Sequence, residues 1–245
     1  MKYDELESYS QWGDDLLVWE YFSKRTDGVF LEAGANHPTN LSQTYLLEKR
    51  GWTGALVEPN PECCRQLRNE RPGSVVFQNA IGSPSQRGVL KLVMPQGSSE
   101  LAYAPRENRK LQNGDVVFEA ELMTLNEVLA NAGITHLNLL SLDLEGMELE
   151  ALEGLDFEKI KPDLIIVEDR LDSLVLHRFL KNLCGYKLVL RNGSNSWYVP
   201  IDQYFLVRLI TTLRLLRKLY LSMPFRRFRD FSRGIRGRNK GPHGR

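Results

Sequence analysis

Two short apolar runs, each leading to an acidic residue, most constrain what this chain can fold into. Residues 29–36 read Val-Phe-Leu-Glu-Ala-Gly-Ala-Asn, and residues 55–60 read Ala-Leu-Val-Glu-Pro-Asn. A helix-compatible segment, 42–50, lies between them. This order predicts two parallel strands joined by a crossover helix. It also places Glu32 and Glu58 at the carboxyl ends of the strands, where open α/β sheets bind their ligands.

The turn after the first run contains a single glycine, Gly34. A dinucleotide site needs the pattern G-x-G-x-x-G, which lets the backbone close on a pyrophosphate. An acid at the end of the second strand, here Glu58, can still accept both hydroxyls of a ribose. A nucleoside site without a phosphate cradle therefore predicts S-adenosylmethionine as the bound cofactor.

The rest of the chain continues the alternation of strands and helices. Further strands are predicted at 75–77, 137–143 and 163–168, and further helices at 16–22, 62–70, 124–132, 147–155 and 172–183. Residues 83–115, rich in Gly, Ser, Pro and Asn, predict a small hairpin and a mobile loop over the site. The runs 186–190 and 196–199 flank Asn192-Gly193, a strong hairpin signal. A mostly parallel, seven-stranded sheet that ends in an antiparallel hairpin is typical of class I methyltransferases.

Charge divides the chain into an acidic body and a basic arm. The net charge of the 245 residues is only +1, yet residues 206–245 hold 12 Lys/Arg and a single acid, Asp230. We therefore expect a catalytic domain over 1–200, an amphipathic helix over 201–223 and a disordered basic tail over 224–245.

Three interpretations of the basic arm stay open. Its apolar stripe packs on the body or on a second subunit in a homo-oligomer, or it lies on an anionic membrane surface with its arginines on the headgroups. The third is nucleic acid, which the Arg-Phe alternation at 225–231 permits. The absence of an RNA-binding signature in the body disfavours it.

Cysteine content and the N-terminus bear on the compartment. Cys63, Cys64 and Cys184 form no C-x-x-C pair, and an odd number favours free thiols in a reducing environment. The N-terminus shows no apolar segment typical of a signal peptide, and no run of about 18 uncharged apolar residues exists. The expected location is the cytoplasm, with attachment to the inner membrane surface if the arm binds lipid.

Residues near the predicted strand ends form the candidate donor site. Gly34 lets the backbone approach the amino-acid part of the donor, and Glu32 can accept from its ammonium. Asn79, with Ala80, follows the third strand and is placed to bond an adenine edge. The alternatives are an ordinary turn at Gly34 or Asn79 and a solvated acid at Glu58.

Further acids follow the central strands. Asp143 or Glu145 can take the proton of an acceptor hydroxyl, although Glu145 can equally cap the helix at 147–155. Asp143, Glu168 and Asp169 can alternatively hold Mg²⁺ or serve as helix caps. His37 lies past the first turn. It can be a base, a substrate contact or an ordinary loop histidine.

Several separate blocks together resemble the FkbM-type methyltransferases. They are Ser10-Gln-Trp-Gly-Asp-Asp15, Phe30-Leu-Glu-Ala-Gly-Ala-Asn36, Ser42-Gln-Thr-Tyr-Leu-Leu-Glu48, Gly51-Trp-Thr-Gly54, Val57-Glu-Pro-Asn60, Asn79-Ala-Ile-Gly82, Leu142-Asp-Leu-Glu-Gly146 and the closing hairpin. They run in the family's order over roughly residues 8–200.

The resemblance implies an S-adenosylmethionine-dependent enzyme that methylates a hydroxyl on a saccharide, a lipid-linked glycan or a secondary metabolite. It implies donor binding by a set of residues: Gln11, Asp14, Glu32, Gly34, Asn36, Ser42, Thr44, Glu58, Asn79 and Ala80. Asp143 and Glu145 would line the junction between donor and acceptor. One common family form has Asp where this chain has His37. The competing hypothesis is a non-catalytic adaptor of the same fold that acts through the basic arm.

Overall fold

The computed structural model describes residues 7–94, 114–169 and 174–203. Ten strands are assigned there: β1 (Val29–Ala33), β2 (Thr53–Val57), β3 (Ser74–Phe77), β4 (Ala80–Ile81), β5 (Val89–Met94), β6 (Val116–Met123), β7 (Leu139–Leu142), β8 (Leu164–Glu168), β9 (Tyr186–Asn192) and β10 (Asn195–Pro200). Six α-helices accompany them: α1 (Asp14–Tyr21), α2 (Tyr45–Lys49), α3 (Pro61–Glu70), α4 (Leu125–Asn131), α5 (Glu148–Glu153) and α6 (Val175–Arg178).

Seven strands form the main sheet in the order β3-β2-β1-β7-β8-β10-β9. The first five in this order are parallel, whereas β10 runs antiparallel to both of its neighbours. The mostly parallel sheet with a closing hairpin is therefore confirmed. The chain winds outward from β1 in one direction and from β7 in the other, so the sheet reverses between these two strands. Ligands of open α/β sheets bind at such a switch point.

The two faces of the sheet bury separate apolar cores because side chains alternate along each strand. Leu31 of β1 packs in the core on the side of α4 and α5, together with Leu125 and Leu152. Phe30 of the same strand packs in the other core with Trp19 and Leu67, on the side of α1 and α3. This alternation puts Glu32 on the same side of the strand as Phe30, facing α2 and α3.

Local signals account for several helix boundaries. Asn60 caps α3 by accepting from the amide of Glu62, at 2.9 Å. Thr124 and Glu127 form a capping box at the start of α4. The predicted helix at 42–50 is shorter in the structure, since residues 42–44 precede α2 and hydrogen-bond elsewhere. The predicted helix at 172–183 is α6 followed by a π-helical turn, Phe179–Leu183, with residues 172–173 outside the described segments.

A second, three-stranded sheet was not predicted. Its order is β4-β6-β5, with β5 antiparallel to β6 and the two residues of β4 parallel to it. The sequence indicated extended segments at 89–93 and 116–122, but a two-residue strand carries no periodicity that a pattern can detect. The predicted mobile loop lies largely at 95–113, outside the described residues.

The closing hairpin turns at Gly193 and Ser194, and it is tied to the segment that precedes α1. Gly193 has φ +57, and the indole of Trp12 packs so closely that a Cβ there would lie 2.3 Å from it. The indole Nε1 of Trp12 also donates to Ser194 Oγ at 3.3 Å. The N-terminal segment is thus anchored to the end of the sheet.

The predicted arm, helix 201–223 and tail 224–245, lies almost wholly outside the described residues. Among the helices that the structure does describe, none combines the length and the apolar character needed to cross a bilayer.

Candidate active site

A cavity of about 330 Å³ opens at the switch point of the main sheet. This volume falls at the lower end of the range of small-molecule sites. Its lining combines the ends of β1, β2, β7 and β8 with the second sheet, and five of the lining residues are carboxylates: Glu32, Glu58, Asp143, Glu145 and Glu168. No Lys, Arg or His lines the cavity within the described part of the chain. Its electrostatic character therefore favours a cationic ligand.

Gly34 makes the floor of this cavity. Its φ is +83, and a Cβ at this position would lie 1.9 Å from the carbonyl oxygen of Asp143. The amide of Gly34 donates to the carbonyl of Val57 at 2.9 Å. The ends of β1, β2 and β7 consequently meet at one residue that cannot carry a side chain.

Glu58 lies just past β2 and is buried, which excludes the solvated acid considered above. Its carboxylate accepts from two backbone amides, those of Asn36 at 2.9 Å and Asn60 at 2.8 Å. Burial raises its pKa, and the two amide donors act in the opposite direction. The amides fix the carboxylate at the cavity wall, and each oxygen keeps acceptor capacity for a ligand hydroxyl.

Glu32 is a buried residue of the cavity wall and is held by the segment before α2. Its Oε2 accepts from the hydroxyls of Ser42 and Thr44, and its Oε1 accepts from the amide of Gln43 at 2.9 Å. Burial raises its pKa, and the charge of Arg71 counteracts this effect. Ser42 and Thr44 thus act on the carboxylate of Glu32 and are not among the residues that line the cavity.

Gln43 is a site residue that the sequence analysis missed. It lines the cavity next to Glu32, and its Oε1 is buried without a hydrogen-bond partner among the described residues. A buried acceptor without a donor is costly. A ligand that brings an N–H group to this corner of the cavity would satisfy it.

Three carboxylates converge at the other end of the cavity. Asp143, Glu145 and Glu168 each place an oxygen within 4.8 Å of the others. Asp143 faces the cavity and contacts solvent there, while protein atoms surround it on its other sides. This desolvation raises its pKa, and a hydrogen bond with Glu168 raises it further. In the described residues this trio contains Glu145 where the predicted metal set had Asp169.

The protein-family model for the methyltransferase FkbM domain matches residues 32–188, well over half of the chain. The chain belongs to the FkbM methyltransferase family. A search of curated proteins finds no match.

Two solved structures are similar to this FkbM-family chain at low identity. A TehB-like SAM-dependent methyltransferase from Corynebacterium glutamicum is 12% identical with a TM-score of 0.40, covering 76% of this chain and 87% of its own. A precorrin-6y C5,15-methyltransferase from Geobacter metallireducens is 11% identical with a TM-score of 0.42, covering 81% and 94%.

The other predicted site residues of this FkbM-family protein divide into those that line the cavity and those that do not. Gln11, Asn36, Asn79 and Ala80 line the cavity, and Asn79 Nδ2 donates to the carbonyl of Glu121 in the second sheet at 3.2 Å. That sheet also contributes an apolar wall, which the sequence did not reveal.

Asp14 and His37 lie outside the cavity lining. Asp14 is buried at the start of α1, where it accepts from Trp197 Nε1 at 2.7 Å and Asn195 Nδ2 at 2.8 Å. His37 Nδ1 accepts from the amides of Thr39 and Asn40. Because that nitrogen is an acceptor, the proton of a neutral imidazole sits on Nε2. These two hydrogen bonds let the His37 ring stabilise the turn in which it lies.

Proposed function

We propose that this FkbM-family protein transfers a methyl group from S-adenosylmethionine to a hydroxyl oxygen of a saccharide, a lipid-linked glycan or a secondary metabolite. The observation that carries the proposal is the cavity at the switch point, with five carboxylates and no described cation in its lining. S-adenosylmethionine bears a sulfonium, an ammonium and one carboxylate. Its net positive charge matches this lining.

The residues of the cavity also fit the separate parts of the donor. The carboxylate of Glu58 suits the two ribose hydroxyls, because its amide partners hold it in one orientation. The carboxylate of Glu32 and the unpaired Oε1 of Gln43 suit an ammonium group. Leu90 and Leu92 of the second sheet offer an apolar surface to a purine ring.

Bound at this site, the donor supplies a methyl carbon on a positively charged sulfur. In the transfer the sulfur–carbon bond breaks and a carbon–oxygen bond forms, which leaves a thioether and a methyl ether. The proton of the acceptor hydroxyl goes to Asp143 or Glu145. Most of the acceleration in such a reaction comes from holding the acceptor oxygen within about 3–3.5 Å of the reacting carbon.

The converging carboxylates also suit proton removal. Desolvation of Asp143, its hydrogen bond with Glu168 and repulsion by the neighbouring acids keep the pKa of that carboxyl high. Once the positive charge of the donor has displaced its proton, the carboxylate is a stronger base than an ordinary aspartate. If the same carboxylates instead hold Mg²⁺, methyl transfer will stop in EDTA and resume with added magnesium.

Isothermal titration of the full chain with S-adenosylmethionine tests the proposal directly. We expect saturable, one-to-one binding, and then transfer of label from the methyl-labelled donor to a member of a glycan and metabolite pool. A folded protein that takes up no donor would overturn the proposal and favour the adaptor hypothesis.

A further inference from the structure

Arg71, at the C-terminal end of α3, has a fully buried guanidinium surrounded by hydrogen-bond acceptors. Its Nε donates to Glu48 Oε2 at 2.8 Å. Nη2 donates to Thr44 Oγ1 at 2.9 Å, and Nη1 donates to Ser42 Oγ at 3.2 Å and to the carbonyl of Pro38 at 3.1 Å. Arg71 does not line the cavity.

The two hydroxyls that contact Arg71 have a defined polarity. A guanidinium can only donate, so the oxygens of Ser42 and Thr44 accept from it and their own protons are free to point elsewhere. Both protons go to the same atom, Oε2 of Glu32. The chain therefore contains a two-branched connection from a buried positive charge to a carboxylate of the cavity wall.

The same connection orients Gln43. Because Ser42 and Thr44 flank Gln43 and are both held by Arg71, the backbone between them is fixed. The amide of Gln43 then donates to Glu32 Oε1, and its side-chain Oε1 remains without a donor among the described residues. Glu32 and Gln43, which both line the cavity, are thereby fixed next to each other.

We propose that Arg71 is a positioning residue for the amino-acid end of the methyl donor, acting by holding Glu32 and Gln43 in the geometry that receives an ammonium group. This inference rests on the proposed function, since it presumes that the cavity binds S-adenosylmethionine. Charge supports it. An ionised Glu32 in this buried position needs a nearby cation, and the charge of Arg71 reaches it.

The test compares two ligands, of which only one carries the amino-acid end of the donor. S-adenosylhomocysteine carries the amino-acid end, and 5′-methylthioadenosine carries the same nucleoside and thioether without it. In the Arg71→Met variant we expect the affinity for S-adenosylhomocysteine to fall about 10- to 100-fold. The affinity for 5′-methylthioadenosine should stay within about 2-fold, because Glu58 and the purine wall are intact.

Two further variants keep the test decisive. Thr44→Val preserves volume but removes one branch of the connection. It should also lose affinity for S-adenosylhomocysteine selectively, though less than Arg71→Met, and it tests the inference even if Arg71→Met fails to fold. Glu48→Gln alters the contact of Arg71 Nε, which takes no part in the connection to Glu32. The difference between the losses of the two ligands should therefore be smaller in this variant than in Thr44→Val. Circular dichroism and thermal unfolding report whether each variant is folded.

The outcomes separate this inference from the proposed function. Parallel loss of both ligands in the folded variants, or unchanged binding of both, would overturn the role of Arg71 and leave donor binding intact. No binding of either ligand to the unaltered protein would overturn the proposed function and this inference with it.

Discussion

The carbonyl oxygen of Asp143 occupies the place where a side chain on residue 34 would begin. The 1.9 Å separation between that oxygen and an added Cβ means that the ends of β1 and β7 approach each other only because residue 34 is glycine. This close approach brings the backbone of the proposed donor site next to the carboxylates of Asp143, Glu145 and Glu168. One residue thus links the geometry of the fold to that of the reaction centre.

Gly34→Ala should consequently damage both stability and donor binding. A matched control is Gly133→Ala, because Gly133 also has positive φ, +68, but no atom within 4 Å of an added Cβ. Both variants incur the cost of a left-handed alanine, whereas Gly34→Ala adds a clash worth about 1–3 kcal/mol. Urea unfolding measures the difference, and equal destabilisation of the two would show that the contact with Asp143 can relax.

Much of the fold could be predicted because its signals are local. The apolar runs of β1, β2, β7 and β8 and the turn signal of the closing hairpin are readable from short windows, and the strand boundaries agree within about two residues. The order of motifs in the chain similarly identified the family.

The missed features depend on contacts between distant segments. Arg71 reads as an ordinary helix-end residue, and its burial arises only when α3 packs against the segment before α2. Likewise β4 exists only as a partner of β6. Glu32 was readable as a strand-end acid, but the alternation that turns it toward Ser42 and Thr44 becomes visible only once the faces of the sheet are assigned.

Glu58→Gln should weaken binding of every ligand that contains the ribose. The carboxamide nitrogen cannot accept, so one of the amides of Asn36 and Asn60 loses its partner. We expect affinities for S-adenosylhomocysteine and 5′-methylthioadenosine to fall together, about 10- to 100-fold. Calorimetric titration measures both. Glu62→Gln, at an exposed acid two residues beyond Asn60, should leave both affinities unchanged, and a loss there would show that the effect is not specific to Glu58.

Donor binding should release protons and weaken as the pH falls. The pKa of Asp143 is raised above its ordinary value by desolvation and by Glu168, so a fraction of this pair holds a proton that an aspartate in water would have lost. A sulfonium favours the ionised form and displaces that proton. The affinity ratio of S-adenosylmethionine to S-adenosylhomocysteine should therefore decrease with decreasing pH. Titrations in buffers of different ionisation enthalpy count the protons, and Asp143→Asn should reduce the number; a pH-independent ratio would contradict the expectation.

Asp14→Ala should destabilise the protein through the closing hairpin. Removal of the carboxylate leaves the buried donors Asn195 Nδ2 and Trp197 Nε1 without their acceptor, at a cost of about 1–3 kcal/mol for each unsatisfied group. Thermal and urea unfolding measure the loss. Asp27→Ala, at an exposed acid, should unfold like the unaltered protein. Equal stability of the Asp14 and Asp27 variants would mean that water replaces the lost acceptor.

Trp12 provides an optical report on the N-terminal segment. It is 48% exposed, whereas Trp19, Trp52 and Trp197 are exposed by 6% or less, so acrylamide should quench mainly Trp12. One face of its indole lies on Gly193, and the neighbouring residue Gln11 lines the cavity. If Gln11 closes on the donor, S-adenosylmethionine should reduce the quenching, and Trp12→Phe should abolish that response while donor affinity is retained. Quenching that is identical with and without saturating donor would show that the segment does not respond to the occupied cavity.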